Sequence, residues 1–245
     1  MLYDICTVFW RDWVVLKRRL ARFIFSRMVA PMLYLVAFGW GLGRNIQVGD
    51  GAYIDFLVPG IMALNSMNIS YNSLTPLCTE RVYHRSMGEY IIAPMHPSSF
   101  IIGKLLAAVL RGLISSAVIM VLALGFGANL NIDLAYVGIL ILNCVIFAEI
   151  GFFAALSMDS YEELSQVNTY ILLPMSFLCG TFFTTAALPE LLRLIIDILP
   201  LTHTSCLLRS IASQGAIAWE SVAVLLVYAI IGFILDIRAF DNQLK

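Results

Sequence analysis

The sequence predicts an all-α integral membrane protein. It has six transmembrane helices, an N-terminal amphipathic helix lying in the interface, and a re-entrant or interfacial helical hairpin between helices 5 and 6. Three observations lead there. Of 245 residues, 60% are hydrophobic and 13% charged, where a soluble domain has about 45–50% and about 25%. The apolar runs are about 20 residues long and do not alternate, which suits helices rather than a closed barrel. Late in the chain, residues 188–200 are too short to span, and Glu190, Arg193 and Asp197 recur there at spacings of three and four.

The opening segment, residues 1–22, reads as the interfacial helix. Phe9, Trp13, Leu16 and Leu20 form an apolar face, with Arg11, Arg18 and Arg22 largely opposite. A basic helix carrying tryptophans suits the headgroup layer. Bases and tryptophans precede the first long apolar run and no small-residue cleavage site follows it, so the N-terminus is expected to be retained.

The spans follow as residues 23–43, 53–76, 100–124, 134–158, 169–185 and 219–237, in a single transmembrane domain without internal repeats. Pro31 sits inside the first, tolerable where neighbours satisfy the freed carbonyl. The second is unusually polar in its latter half, with Asn65, Ser66, Asn68, Ser70, Asn72 and Ser73. Such side chains either glue helices together or line a wet path. Residues 76–99 form the longest charged connection, broken by Gly88, Pro94 and Pro97. The arm at 188–200 continues through LTHTSCLLRSI.

Lysine and arginine set the orientation. Arg11, Lys17, Arg18, Arg19, Arg22 and Arg27 precede or enter the first span. Arg81, Arg85 and Lys104 flank the second-to-third connection, and Arg238 and Lys245 lie near the C-terminus. The other side holds Arg44, Arg193 and Arg209. Both termini are therefore expected in the cytoplasm.

Chemistry is sparse. Gly103–Lys104 is followed by leucine and lacks the upstream glycine of a phosphate-binding loop, and no metalloprotease, hydrolase or dinucleotide signature occurs. The three histidines and five cysteines lack zinc-ligand spacing, so neither a metal site nor catalysis is expected. The net charge of −1 and the lack of a basic–aromatic run give no pointer to nucleic acid. Arg111 and Glu149 remain as charges inside spans, where burial costs about 2.5–3.5 kcal/mol or more. Counted from the cytoplasmic ends of their helices, they lie at roughly 11 and 14 Å depth at 1.5 Å per residue. They could form an intramembrane pair. Alternatively Arg111 snorkels to the headgroups and Glu149 is protonated.

Several stretches resemble the type-2 (ABC-2) export class of ABC transporter permeases, a group including drug, lipo-oligosaccharide and polysaccharide exporters. They are YIDFLVPGIM at 53–62, GEYIIAPMHPSSFIIGKLLAAVLRGL at 88–113, PMSFLCGTFFTTAALPELLRLI at 174–195, and LPLTHT at 199–204, with His203 where the family commonly has tyrosine. The resemblance implies a six-span half-transporter in a bacterial inner (plasma) membrane. It would pair with a second copy of itself and with a separate ATP-binding-cassette ATPase subunit that carries the ATP and magnesium, leaving no cofactor in this chain. It also implies a coupling helix between the second and third spans, mapped here to residues 79–89. Glu80, Arg81, Tyr83, His84, Arg85, Met87, Glu89 and the adjoining Tyr90 are the candidate docking residues. Asn65, Asn68, Asn72, Phe177, Phe182 and Phe183 are candidates for lining the path.

The expected function is export of an amphiphilic, lipid-linked or saccharide-type substrate, or a drug. A secondary transporter and a non-transporting membrane subunit are the alternatives. The absence of an inverted repeat and the few intramembrane carboxylates count against the first.

Overall fold

The computed structural model describes residues 1–42, 47–48, 51–83, 95–128, 130–183 and 189–243. It is built almost wholly of helices, in the order α1 (Leu2–Arg18), α2 (Leu20–Tyr34), α3 (Tyr53–Val82), α4 (Pro97–Gly125), α5 (Leu134–Ser157), α6 (Tyr161–Val167), α7 (Leu173–Leu178), α8 (Glu190–Ile198), α9 (Pro200–Ala212) and α10 (Trp219–Gln243). Wide π-helical turns follow α2 at Leu35–Leu42 and join α6 to α7 at Asn168–Leu172. Gln47–Val48 and Gly51–Ala52 make a two-residue antiparallel pairing.

Among the described residues, four helices are long and apolar enough to cross a membrane: Leu20–Gly39, Pro97–Gly125, Leu134–Ser157 and Trp219–Gln243. A fifth span results if α8 and α9, bent by 89° at their junction, are taken together. The sequence reading expected six spans, including a second at residues 53–76 and a fifth at 169–185.

The second corresponds to α3, which is 30 residues long but diluted by asparagine and serine. The fifth is a broken run, with α6, a wide turn and α7 in succession. Pro174 supplies a cause, because it cannot donate to the carbonyl one turn back. Boundaries moved too. The first helix ends at Arg18 rather than residue 22, and α3 runs through Pro76 to Val82.

The least apolar of the long helices is the best enclosed. α3 packs against α4, α5 and α9, and Leu57, Ile61, Met67 and Tyr71 are fully buried on it. Phe147 and Phe152 of α5 and Phe100 of α4 complete this core. α10 packs on α5, and α1 on α4. Close contact between α3 and α5 is permitted by Gly151, where a Cβ would stand 2.6 Å from the Tyr71 carbonyl oxygen.

α2 and α10 turn most of their apolar side chains outward. Phe25, Leu33, Ile230 and Ile231 are exposed, an arrangement suited to hydrocarbon rather than water.

At the α8–α9 bend, Thr202 Oγ1 donates to the Ile196 carbonyl at 2.7 Å, and Tyr228 of α10 donates to the Ile198 carbonyl at 2.8 Å. His203 Nε2 donates to the Asp197 carbonyl at 2.8 Å, while Nδ1 lies 3.1 Å from Ser221 Oγ of α10. The bonds to Asp197 and Ile198 satisfy carbonyls left open where α8 ends, and Thr202 adds to the Leu199 N–H on the Ile196 carbonyl.

Candidate substrate path and coupling surface

The polar stripe of α3 divides between packing and a cavity. Asn65 Nδ2 donates to Ser115 Oγ of α4 at 2.5 Å. Asn143 Nδ2 of α5 donates to Ser66 Oγ at 2.9 Å and to the Ala63 carbonyl at 3.2 Å. Asn65 therefore joins helices. Asn68 and Asn72 instead bond within α3, to the Leu64 and Asn68 carbonyls at 3.0 and 2.7 Å, and are only partly buried.

Asn72 also faces a cavity of about 360 Å³ where α1, α2, α3 and α4 meet. On α2, Arg22, Phe23, Ser26 and Arg27 share one face through their three- and four-residue spacing. Ile69, Asn72, Ser73 and Pro76 do the same on α3, and Arg111 enters from α4. Pro76 has no N–H to give the Asn72 carbonyl, and Thr75 Oγ1 donates to it instead at 3.0 Å.

The aromatic candidates lie elsewhere. Phe182 is buried with its ring 4.8 Å from Phe38, 5.3 Å from Tyr34 and 5.7 Å from Phe177. Phe177 and Phe183 keep large exposed areas. The cluster is held from two sides. Tyr53 donates its hydroxyl to the Phe182 carbonyl at 2.8 Å. Arg209 donates to the Phe56 and Thr181 carbonyls at 3.0 and 2.9 Å, its guanidinium 3.7 Å above the Phe56 ring. Arg209 thus ties α9 to the start of α3 and to the segment after α7. A polar partner elsewhere in the chain would have marked it in the sequence, but its partners are backbone carbonyls.

Of the coupling candidates, Glu80, Arg81 and Tyr83 are described, while His84, Arg85, Met87, Glu89 and Tyr90 lie outside the described residues. Arg11 Nη2 of α1 is 3.4 Å from Glu80 Oε1. Arg81 donates to the Met158 carbonyl and lies 3.4 Å from Asp159, at the α5–α6 junction. Lys104 of α4 and Asp12 of α1 form an enclosed ion pair at 3.2 Å. One charged end of the bundle therefore joins α1, α3, α4 and the α5–α6 junction. Tyr83 stands 63% exposed at its margin.

The Arg111–Glu149 pairing is corrected by the structure. Arg111 donates to the Ser73 carbonyl at 3.2 Å and lines the cavity. Glu149 sits between α5 and α10 against Gly232, where a Cβ would collide with its carboxylate. Glu149 is 3% exposed and Asp236 of α10 is fully buried. Glu149 Oε2 and both Asp236 oxygens have no hydrogen-bond partner among the described residues. α4 and α5 do pack together, but through Gly112, where a Cβ would stand 2.5 Å from Cys144 Sγ. Arg111, about 100° further round the helix, faces α3.

A bundle of long apolar helices with buried polar joints and a charged end defines a polytopic helical membrane protein. The chain belongs to the ABC-2 type transporter family, whose sequence profile matches residues 3–212, and is a membrane transport permease of that family. It is 24% identical to nodulation protein J of Bradyrhizobium diazoefficiens over 99% of this chain and 94% of that protein. It is 24% identical to nodulation protein J of Rhizobium leguminosarum bv. trifolii over 96% and 91%. The inner membrane transport permease YadH of Escherichia coli K12 is 26% identical over 72% of this chain and 74% of its own length.

Proposed function

We propose that this chain is the membrane-spanning subunit of an ATP-driven exporter, working as a pair of copies with a separate ATPase subunit. The family match across residues 3–212 carries the reading, because the sequence holds no nucleotide-binding motif of its own. The cargo is an amphiphile: a drug, or a lipid-linked or saccharide-type molecule. The membrane is the bacterial inner membrane, with both termini cytoplasmic and ATP and magnesium on the partner.

Six spans are the proposed topology. At 1.5 Å per residue α3 is about 45 Å long, enough to cross a hydrocarbon core of about 30 Å. Its Asn65 and Ser66 are bonded to α4 and α5 rather than turned to lipid. The broken run of α6 and α7 supplies another crossing, and the bent α8–α9 pair returns to one face. The charged end carrying Glu80, Arg81 and Tyr83 is then cytoplasmic and meets the ATPase. Asn68, Asn72 and the Phe177–Phe183 cluster flank the cargo route.

Co-expression with an ATP-binding-cassette ATPase subunit from the same organism, followed by purification through a tag on the permease, tests the reading. The expected result is a stable complex with vanadate-sensitive ATP hydrolysis. Recovery of a well-folded permease without any ATPase would overturn it.

A further inference from the structure

We infer that the cavity between α1, α2, α3 and α4 binds a phosphate group carried on a membrane amphiphile.

Four arginines line this cavity: Arg19 at the α1–α2 junction, Arg22 and Arg27 on α2, and Arg111 on α4. No carboxylate is among the lining residues, and none of the four forms an ion pair among the described residues. Elsewhere the same end of the bundle pairs its cations closely, Arg11 with Glu80, Arg81 with Asp159 and Lys104 with Asp12. Lys17 and Arg18 of α1 and Arg238 of α10 are also without ion pairs among the described residues, but they line other hollows.

Depth makes the lack of partners costly. Arg27 lies seven residues past Leu20, where the first candidate span begins, which is about 10 Å along the helix. Arg111 is 14 residues into α4. Cations at such depths pair with an opposite charge or with backbone carbonyls, or snorkel to the interface. The guanidinium of Arg111 spends one donation on the Ser73 carbonyl, and an arginine carries five N–H donors in all. Its remaining donors and those of Arg22 and Arg27 match phosphate, which guanidinium groups grip through paired N–H contacts.

The rest of the lining fits an amphiphile rather than a free ion. Ser26 and Asn72 add polar contacts, while Val15, Leu16, Phe23 and Ile69 give an apolar wall. The volume of about 360 Å³ exceeds what one phosphate needs and falls within the usual ligand-pocket range of about 300–1,000 Å³. The outward apolar side chains of α2, Phe25 and Val29, would flank acyl chains rising from the hollow. The inference stands whether the bound molecule is cargo or a resident lipid, so it does not depend on the proposed export.

The test is lipid binding to the purified full-length chain in dodecyl maltoside, followed by native mass spectrometry. The probes are dioleoyl phosphatidic acid, dioleoylglycerol with the same tails and no phosphate, and sodium phosphate. Phosphatidic acid is expected to bind at least tenfold more tightly than dioleoylglycerol. The Arg22→Gln/Arg27→Gln variant should lose at least tenfold in that affinity, and Arg193→Gln, on α8, should not. Apart from the Arg27 contact over the Phe23 ring at 5.9 Å, neither Arg22 nor Arg27 makes a hydrogen bond or ion pair among the described residues, so this variant tests binding without dismantling the core. Arg111→Lys should weaken binding further by removing the forked donors while keeping the charge. Equal binding of dioleoylglycerol, or unchanged affinity in the double variant, would overturn the inference. Binding of sodium phosphate as tight as phosphatidic acid, with the same arginine dependence, would assign the site to free phosphate and overturn the amphiphile.

Discussion

Lys104 Nζ of α4 lies 3.2 Å from Asp12 Oδ2 of α1, and both side chains are nearly enclosed. The pair fixes the N-terminal helix to the bundle beside Gly103, where a Cβ would stand 2.8 Å from Val8 Cβ. Removing one member of such a pair leaves a buried charge without compensation, at about 3–5 kcal/mol. Asp12→Ala should therefore lower the unfolding temperature of the purified protein sharply. Asp12→Leu combined with Lys104→Met should recover most of the loss. A double variant as unstable as the single would show that the pair's charges are not what matters.

The Gly151 contact predicts a packing defect. Gly151→Val would drive a side chain into the Tyr71 backbone, and overpacking costs about 1–3 kcal/mol or more. The variant should aggregate during size-exclusion chromatography, whereas Gly138→Ala, at a position open to space, should elute as the wild type.

The buried amide of Asn143 serves two acceptors on α3. Asn143→Leu leaves Ser66 and the Ala63 carbonyl without that donor, at about 1–3 kcal/mol. Thermal unfolding followed by intrinsic fluorescence reads the loss. Asn68→Leu should cost less, because the wild-type amide donates to the Leu64 carbonyl of its own helix.

The all-helical membrane architecture is legible in the sequence, because long apolar runs report directly on a bilayer. The bent arm near residue 200 is legible for the same reason, being too short and too charged on one face to span alone. The broken run of α6 and α7 is not, since hydropathy does not register where a wide turn interrupts a helix. Depth arithmetic placed Arg111 and Glu149 at similar levels, but depth does not fix which face of a helix a residue occupies. Gly112 takes the face toward α5, so Arg111 turns to Ser73 and Glu149 to α10. Arg209 and the Asp12–Lys104 pair escaped notice because their partners are backbone carbonyls or residues far away in sequence.

The proposed docking of an ATPase on the charged end predicts an uncoupled variant. Tyr83 is exposed there, and an apolar anchor contributes more to an interface than rim ion pairs, which are worth about 0–1 kcal/mol each. Tyr83→Asp with Met87→Asp should insert normally yet lose export in proteoliposomes containing the ATPase. Unchanged export would remove these residues from the coupling surface.

Orientation can be read in intact cells carrying single cysteines in a cysteine-free background. A membrane-impermeant thiol reagent should label a cysteine at position 193 and spare one at position 85. The reverse pattern would invert the topology and place the charged end outside.

The central claim is a permease pair driven by a separate ATPase, and the mass of the active complex tests it most directly. Native mass spectrometry of the ATP-hydrolysing assembly should give two copies of this 27.2 kDa chain together with its ATPase subunits. A hydrolysing complex holding a single permease copy, or a permease that transports without any ATPase bound, would contradict the account.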